Sequence, residues 1–436
     1  MRIVFIYLLA TCCSAGMLCA QTSDDFYKGL KEAKAPASFN VQDFVKQAAK
    51  NFAAKRARDF ASEYLQYRAV EMDGKYCEFN AYKGYFAELN FNQSTKEYPW
   101  GRLDASLYVI PETVMRSDPF GVGTDVLSRP SASIDMATSA TLGGIKDRTA
   151  LGYHNDPNSR SLYLAKTALE IYSPLSANLA DCYSYSVNGF FVNSAKESVV
   201  SISFETKPET FPSKTRLLGK GTILYNMSTK LPEKVHMANH VDYYSTFYNG
   251  SSYSGHTATK HSLELEFSQN DGFLYPAMLS LSVEWLDPQA DNDRNVYYIM
   301  SNSRLRPFRY HLKEYHRCEF TRPVSVNKTQ IADIKKLVAS EAVRGLLLYT
   351  APYLPEIWDK LSFTGLDRNK MENDLNRKGE SLTVQAERNA LSWYEEYSKN
   401  LDVAPEGQEA EAKRVAFSKA YYQNVPSVHN ILYNNK

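Results

Sequence analysis

Val199-Val-Ser-Ile-Ser-Phe-Glu205 alternates apolar and polar side chains, which predicts a β-strand with one buried face and one face in water. Residues 262–267, Ser-Leu-Glu-Leu-Glu-Phe, and residues 280–285, Ser-Leu-Ser-Val-Glu-Trp, repeat the pattern. Asp271-Gly272 lies between these two segments, and glycine accepts the positive φ angle that a tight hairpin turn requires. The stretch therefore predicts consecutive strands of a large antiparallel sheet.

Other parts of the chain carry the patterns of further strands and of helices. The further strand patterns are Tyr76–Tyr82, Tyr85–Phe91, Cys182–Val187, Gly221–Tyr225, Val235–Tyr244 and Val296–Met300. The helical patterns are Asn40–Phe52, Ser161–Leu175, Ser381–Leu401 and Glu406–Tyr422. Together they predict an α+β fold in which a large curved antiparallel β-sheet, half-barrel-like, has helices packed at the N-terminus and a helical C-terminal region.

The N-terminal helix has a well-defined predicted start. Asn40 is the predicted N-cap, and apolar residues follow at helical spacing up to Phe52. The helical register is predicted to continue through Ala61 and Tyr64. The basic cluster Lys55–Arg58 on this register is interpreted as a solvated helical face rather than a membrane-surface contact.

Composition and pattern divide the chain into four predicted parts. They are a signal peptide at 1–20, an N-terminal helical segment at 21–72, a β-rich body at 73–326 with a long insertion near 116–180, and a mainly helical region at 327–436. With 436 residues, 44% of them hydrophobic, the chain is long enough to bury a large core.

Residues 1–20 have the layout of a secretory signal peptide, with Arg2 followed by an apolar run and small residues before Ala20. Cleavage after Ala20 predicts an exported protein of the periplasm or the inner face of the outer membrane, without a membrane span. Lipidation at Cys12 is the alternative, but Thr11 precedes that cysteine where lipoprotein signals favour a small residue.

Charge and cysteine content exclude other classes. The formal net charge is +1, and loss of Arg2 with the leader makes it neutral, whereas nucleic-acid binding needs a basic excess. We therefore expect no nucleic-acid partner. The mature chain keeps Cys77, Cys182 and Cys318, which allow at most one disulfide, so the fold depends on its core.

Two groups of residues resemble metal sites. His236 and His240 would both reach one zinc ion on a helix, but on the predicted strand they stand about 13 Å apart. Asp287, Asp291 and Asp293 offer oxygen ligands at alternate positions, but the glycine of a calcium loop is missing at Val296. Neither group is assigned as a metal site.

Two further segments resemble binding or catalytic motifs. His311 and His316 follow the basic stretch Arg304–Tyr310, which could meet an acidic partner or a lipid phosphate but is interpreted as a solvated edge. Gly250–Gly255 is rich in serine but is not the Gly-x-Ser-x-Gly nucleophile elbow. No catalytic, cofactor-binding or metal-binding residue is assigned, and no cofactor is predicted.

Four segments resemble exported Bacteroidota envelope proteins of the carboxypeptidase-like regulatory domain type, in the region that follows the regulatory domain. They are Tyr64–Ala69, Gly84–Leu89, Val199–Phe204 with Gly219–Tyr225, and Tyr353–Trp358. The regulatory domain itself is absent here. Such proteins are similar to lipoprotein carriers in using a curved antiparallel sheet with helices packed on it. The resemblance implies an envelope protein, and the family offers no known catalytic residues to carry over to this chain.

The sequence thus predicts a non-enzymatic envelope protein that binds a partner protein or an apolar, lipid-like ligand through its sheet. The alternative is a secreted glycan-binding or glycan-degrading protein, which the 31 tyrosines and the acidic loops favour.

Overall fold

The structure is a computed structural model. It describes residues 24–72, 74–94, 102–117, 170, 173–207, 220–238, 257–286, 298–301, 304–307, 311–338, 352–376, 379–388 and 428–434.

Most strands belong to one large sheet. The strands are β1 (Lys31–Glu32), β2 (Phe60–Met72), β3 (Lys75–Ser94), β4 (Arg102–Arg116), β5 (Tyr183–Val192), β6 (Ser198–Thr206), β7 (Lys220–Asn226), β8 (Pro232–Ala238), β9 (Thr257–Asn270), β10 (Phe273–Leu286), β11 (Tyr298–Ser301), β12 (Arg304–Pro307), β13 (His311–Phe320) and β14 (Val324–Ser325). Twelve of them form an antiparallel sheet in the order β1-β5-β6-β7-β8-β9-β10-β13-β2-β3-β4, with β14 also paired to β2. The predicted large antiparallel sheet is confirmed.

The two ends of this sheet differ in their connections. At one end, tight turns at 193–197, 227–231 and 271–272 join neighbouring strands. Four long connections, at 117–182, 207–219, 239–256 and 287–310, all join strands at the opposite end. We call these the short-turn end and the long-connection end.

The predicted Asp271-Gly272 turn is confirmed. It joins β9 to β10, and the backbone φ angles are +50° at Asp271 and +77° at Gly272. Two consecutive positive φ angles match the twist of the flanking strands, which is why Asp-Gly favours this two-residue hairpin. Asn270 pairs directly with Phe273 across the turn, so the register of both strands is set here.

The described helices are α1 (Val41–Lys55), α2 (Lys328–Val338), α3 (Pro355–Trp358) and α4 (Arg368–Leu375). The predicted N-cap is confirmed, because the Asn40 side chain accepts a hydrogen bond from the Asp43 backbone N–H at 3.2 Å. Residues 382–388 are also helical, beginning directly after Ser381 as predicted.

The predicted continuation of the first helix through Ala61 and Tyr64 is wrong. Helix α1 ends at Lys55, and β2 begins at Phe60. Side chains on both faces of β2 are buried, so the strand shows no alternation of apolar and polar residues that would distinguish it from a helix.

Helix α1 covers one face of the sheet at the short-turn end. The Phe44 ring meets Tyr225 at 5.7 Å between centroids, and the Phe52 ring meets Phe267 at 5.5 Å. Ala48 and Ala49 are fully buried between these two contacts. We call the covered side the α1 face.

The opposite face is covered at two places. Near β2 and β3 it packs against the C-terminal region, where Trp358 is fully buried and its indole N–H donates to Thr113 Oγ1 at 2.9 Å. Near β6 and β7 it packs against the N-terminal residues Phe26 and Tyr27. The sheet therefore lies between two layers. The predicted face in water is wrong for the middle of β6, where Val199 and Ser201 are buried as fully as Val200 and Ile202 on the other face.

Several predictions lie outside the described residues. They are the leader with Cys12, the helix at Glu406–Tyr422, the segment Gly250–Gly255, most of the insertion near 116–180, His240, and the group Asp287, Asp291 and Asp293. The four-part domain division stays a prediction.

Candidate functional site

A single row of cross-strand partners runs across the α1 face and changes from apolar to polar partway. Residues directly opposite each other on antiparallel strands point to the same face. In sheet order the row consists of Phe204, Gly221, Met237, Leu263, Leu281, His316, Arg68, Asn80 and Arg116. All of them except the half-buried Gly221 are buried. We call Phe204 to Leu281 the apolar half and His316 to Arg116 the polar half.

Glycine shapes the apolar half at its β7 position. A Cβ atom on Gly221 would lie 2.7 Å from the Phe204 ring and 2.5 Å from the His236 carbonyl oxygen. The Phe204 ring therefore lies directly over the Gly221 backbone, a position that leaves no space for a side chain there. The other edge of the Phe204 ring packs against Tyr183, with 5.3 Å between ring centroids.

The polar half contains an ion pair in the interior. Arg68 Nη1 lies 2.6 Å from Glu78 Oε1, and Asn80 Nδ2 donates to the same oxygen at 2.7 Å. Glu78 precedes Asn80 by two residues on β3, so both side chains point to the α1 face. Burial of a charge is costly unless the charge is paired, and this contact supplies the pairing.

Arg116 ends the row at the last residue of β4. Its guanidinium carbon lies 5.3 Å from the centroid of the Tyr82 ring, and Nη2 donates to the Tyr82 hydroxyl at 3.4 Å. A guanidinium over an aromatic face gains cation–π attraction, which is stronger where water is excluded. Arg116 is buried. Arg68 and Arg116 are the cross-strand partners of Asn80 on its two sides.

The Asn80 side chain has one unsatisfied atom. Its Nδ2 donates to Glu78, whereas its Oδ1 has no hydrogen-bond donor among the residues that the structure describes. A flipped amide would direct Oδ1 at the Glu78 carboxylate, so the hydrogen bond fixes the amide orientation. A buried acceptor without a donor costs about 1–3 kcal/mol, which favours a donor from water or from a ligand.

Sequence reasoning missed this polar half for a specific reason. Strand Tyr76–Tyr82 was predicted, but period two assigns Glu78 and Asn80 to a face in water. The tertiary structure buries these polar side chains on the α1 face. The sequence shows that Glu78 and Asn80 share one face of the strand. The order of the strands in the sheet is needed to show that this face is buried.

The predicted solvated edge is wrong at His316. Strand β13 pairs with β10 on one side and β2 on the other, so it is a central strand. His316 is only 2% exposed because its cross-strand partners Leu281 and Arg68 flank it on the α1 face.

His236 lies on a strand, as predicted. Its side chain points away from the α1 face, where Nε2 lies 3.1 Å from Ser262 Oγ and the ring packs 5.6 Å from Phe26. Burial, and secondarily the charge of Lys234, lowers the pKa of His236 to about 4. The imidazole is therefore neutral at pH 7. In the part of the chain that the structure describes, no group of three or more His, Cys, Asp or Glu side chains is arranged to hold a metal ion.

The predicted solvated position of the Lys55–Arg58 cluster is wrong for Arg56. Arg56 is 8% exposed, and its Nη2 lies 2.8 Å from Glu88 Oε1 and 2.7 Å from Glu170 Oε2. Because α1 ends at Lys55, the chain turns toward the sheet, where Arg56 bridges to Leu274 of β10. Arg56 and Ala57 thus form a buried junction at the short-turn end, whereas Lys55 and Arg58 are exposed as predicted.

Cys77, Cys182 and Cys318 form no disulfide with one another, and Cys77 and Cys318 are buried. Burial raises the pKa of the Cys318 thiol well above its usual range, so this thiol stays protonated at neutral pH. No helix within the described ranges combines the length and apolar character needed to cross a bilayer.

Comparisons with known proteins give little further information. No protein-family model matches the chain, and no curated protein matches its sequence. Among solved structures, a DUF1329 family protein from Desulfovibrio piger has 10% identity and a TM-score of 0.27, covering 67% of this chain and 95% of that one. A LolA superfamily protein from Nitrosomonas europaea has 10% identity and a TM-score of 0.23, covering 66% of this chain and 95% of that one. At these scores neither similarity supports a conclusion about this chain.

Proposed function

We propose that the chain is an exported, non-enzymatic envelope protein that binds an apolar, lipid-like ligand on the α1 face of its sheet. The observation that carries this proposal is the apolar half of the cross-strand row. Five adjacent strands, β6 to β10, contribute one row position each without a polar side chain. Adjacent strands are about 4.8 Å apart, so this surface extends roughly 19 Å.

The position of the row supports ligand entry. The described ring contacts of α1 reach Tyr225 and Phe267, which lie on the short-turn side of the row. The row itself lies between α1 and the long-connection end. The apolar side chains of the row are already buried, so the favourable term for an apolar chain is the removal of its own surface from water, which contributes about 25 cal/mol per Å².

A partner protein is the other occupant that the sequence predicted, and it would add a strand at a sheet edge. The edge strand β5 pairs with β1 only at Phe191 and Val192 in the described part of the chain. A β-bulge between Val187 and Gly189 interrupts β5, and Asn188 Nδ2 donates to Ser203 at 2.7 Å. Bulges at edges oppose further strand pairing, so the ligand is the favoured occupant.

The export part of the proposal is supported by the signal-peptide pattern of residues 1–20 and by the neutral charge of the mature chain. Fractionation of cells that express the tagged protein tests it. We expect recovery with the periplasm or the outer membrane, and recovery in the cytoplasm with an intact leader would contradict it.

Ligand binding is tested with the full chain and the fluorescent apolar probe N-phenyl-1-naphthylamine. We expect the wild-type protein to enhance the probe's emission. Met237→Trp and Leu281→Trp each place a larger side chain on the apolar half and should weaken probe binding at least fivefold. Val384→Trp, at a position that is 45% exposed, is the matched control and should bind as wild type does.

Circular dichroism shows whether each tryptophan variant is folded. Folded variants that bind the probe as tightly as wild type would exclude the apolar half as the site. A folded wild-type protein that does not bind the probe would contradict the proposed function.

A further inference from the structure

We propose that an acid-responsive network joins the two turns at 193–197 and 226–231, and that uptake of a proton by Glu233 strengthens the connection between them. The network consists of Asn193, Glu197, Asn226 and Glu233, and we call it the turn network. This inference concerns the short-turn end of the sheet and does not depend on the proposed ligand.

An asparagine organises each of the two turns. Asn193 Oδ1 accepts from two backbone N–H groups of its own turn, each at 3.0 Å. Asn226 Oδ1 does the same in the second turn, at 3.0 and 3.1 Å. These hydrogen bonds fix both Oδ1 atoms toward the turn backbone, so both Nδ2 groups are left to donate elsewhere.

Both asparagine amides donate to the same two carboxylates. Asn193 Nδ2 lies 3.2 Å from Glu197 Oε2 and 3.3 Å from Glu233 Oε1. Asn226 Nδ2 lies 3.0 Å from Glu197 Oε2 and 3.3 Å from Glu233 Oε1. One oxygen of each glutamate is therefore within 3.3 Å of the same two nitrogen atoms, and the network connects the β5–β6 turn to the β7–β8 turn.

The turn network brings two carboxylates close together. Glu197 is exposed, but Glu233 is partly buried beside Asn226, which is 3% exposed, so water screens the repulsion incompletely. Burial raises the pKa of the Glu233 carboxyl above its usual range, the two asparagine amides oppose this rise, and the charge of Glu197 adds to it. A protonated Glu233 no longer repels Glu197, and its carbonyl oxygen can still accept from the amides.

The other charges around the turn network act little on Glu233. Among the described groups, Glu197 is the one whose charge shifts the pKa of Glu233. Lys234, the next residue on β8, lies with its Nζ 2.5 Å from Glu266 Oε1. The remaining charged residues of the segments around the network are Lys31, Glu32, Lys50, Lys55, Lys196 and Lys230.

The turn network also reaches helix α1. Asn51 Nδ2 on α1 donates to the carbonyl oxygen of Thr229, in the second turn, at 2.9 Å. A change of charge at Glu233 therefore acts on both turns and on the helix that covers the α1 face. We expect proton uptake to stabilise this end of the molecule.

The urea midpoint of the full chain, measured from pH 7 to pH 4, tests the proposal. The repulsion destabilises the folded protein fully above the folded-state pKa of Glu233, and it is relieved as the pH falls through that pKa toward the usual glutamate range. Glu233→Gln lacks the charge at every pH, so its midpoint should exceed that of wild type at pH 7 and converge with it by pH 4. His236 titrates in both proteins and cancels in this difference.

Further variants assign the effect to the pair of carboxylates. Glu197→Gln should also raise the midpoint at pH 7, and the double variant with Glu233→Gln should gain little more, because either change removes the same repulsion. Asn193→Asp keeps the acceptor for its turn and adds a third carboxylate, so it should lower the midpoint more at pH 7 than at pH 4. Glu205→Gln, at an exposed position of β6, is the matched control and should leave the midpoint and its pH dependence nearly unchanged.

Two results would overturn the inference. One is a Glu233→Gln midpoint that lies below wild type at pH 7 or differs from it by the same amount at pH 7 and pH 4. The other is an additive gain in the double variant, which would mean that the two carboxylates do not act as a pair. Neither result bears on binding of the apolar probe, so the proposed function is tested separately.

Discussion

The apolar half and the polar half of the row lie on the same face of the same sheet, yet their side chains stabilise the fold in different ways. Met237 and Leu281 gain stability by leaving water, and any well-packed apolar residue would do the same. Arg68 in the interior is paired with Glu78, because a buried charge without a partner is costly. Replacement of a buried ion pair by apolar residues is often neutral or stabilising, so stability alone does not explain why the polar half is polar.

The largest expected effect comes from breaking the ion pair of the polar half on one side. Arg68→Met leaves the Glu78 carboxylate buried without its cation and should cost about 3–5 kcal/mol of unfolding free energy. The double variant Arg68→Met with Glu78→Leu should unfold within about 1 kcal/mol of wild type. Urea denaturation measures both, and equal losses in the single and double variants would contradict this account of the pair.

A cavity in the apolar half should have the next largest effect. Leu281→Ala removes a side chain that is 1% exposed and should cost between about 2 and 5 kcal/mol. Urea denaturation measures the loss, with Val384→Ala at an exposed site as the control. A loss below about 1 kcal/mol would mean that the row is loosely packed at this point.

Acid should act on the opposite face, behind the apolar half, through His236. An unfolded histidine binds its proton near pH 6.5, whereas His236 in the folded protein does so near pH 4, so protonation favours unfolding. The stability that the neutral imidazole contributes is complete above pH 6.5 and declines as the pH falls from 6.5 to 4. The loss of unfolding free energy at pH 4 should be about 3 kcal/mol. Urea midpoints measured from pH 7 to pH 4 should show a shallower decline in His236→Gln than in wild type, and parallel curves would contradict the assignment.

The smallest effect concerns α1, which covers the α1 face beside the row. Asn40→Ala removes the side-chain acceptor for the Asp43 N–H and should cost about 1 kcal/mol. Lys50→Ala, at an exposed position of the same helix, should leave the unfolding free energy nearly unchanged. Thermal and urea denaturation of the two variants measure the difference, and an equal cost in both would mean that the cap contributes nothing.

The sequence by itself determined the local elements. The alternation in Val199–Glu205 predicts β6 because period two needs only neighbouring residues, and Asp271-Gly272 predicts its hairpin because positive φ angles are a property of the turn residues. Asn40 predicts the start of α1 because an N-cap hydrogen bond spans only three residues. Each of these signals lies within one element.

Only the tertiary structure decided which polar residues are buried. Arg56 and His316 read as solvated in the sequence because their neighbours along the chain are charged, whereas their spatial neighbours come from strands far away in sequence. Arg68, Asn80 and Arg116 form one row because β2, β3 and β4 align in a particular register. Strand order and register are set by long-range pairing, so the candidate site could not be predicted from any single stretch of the chain.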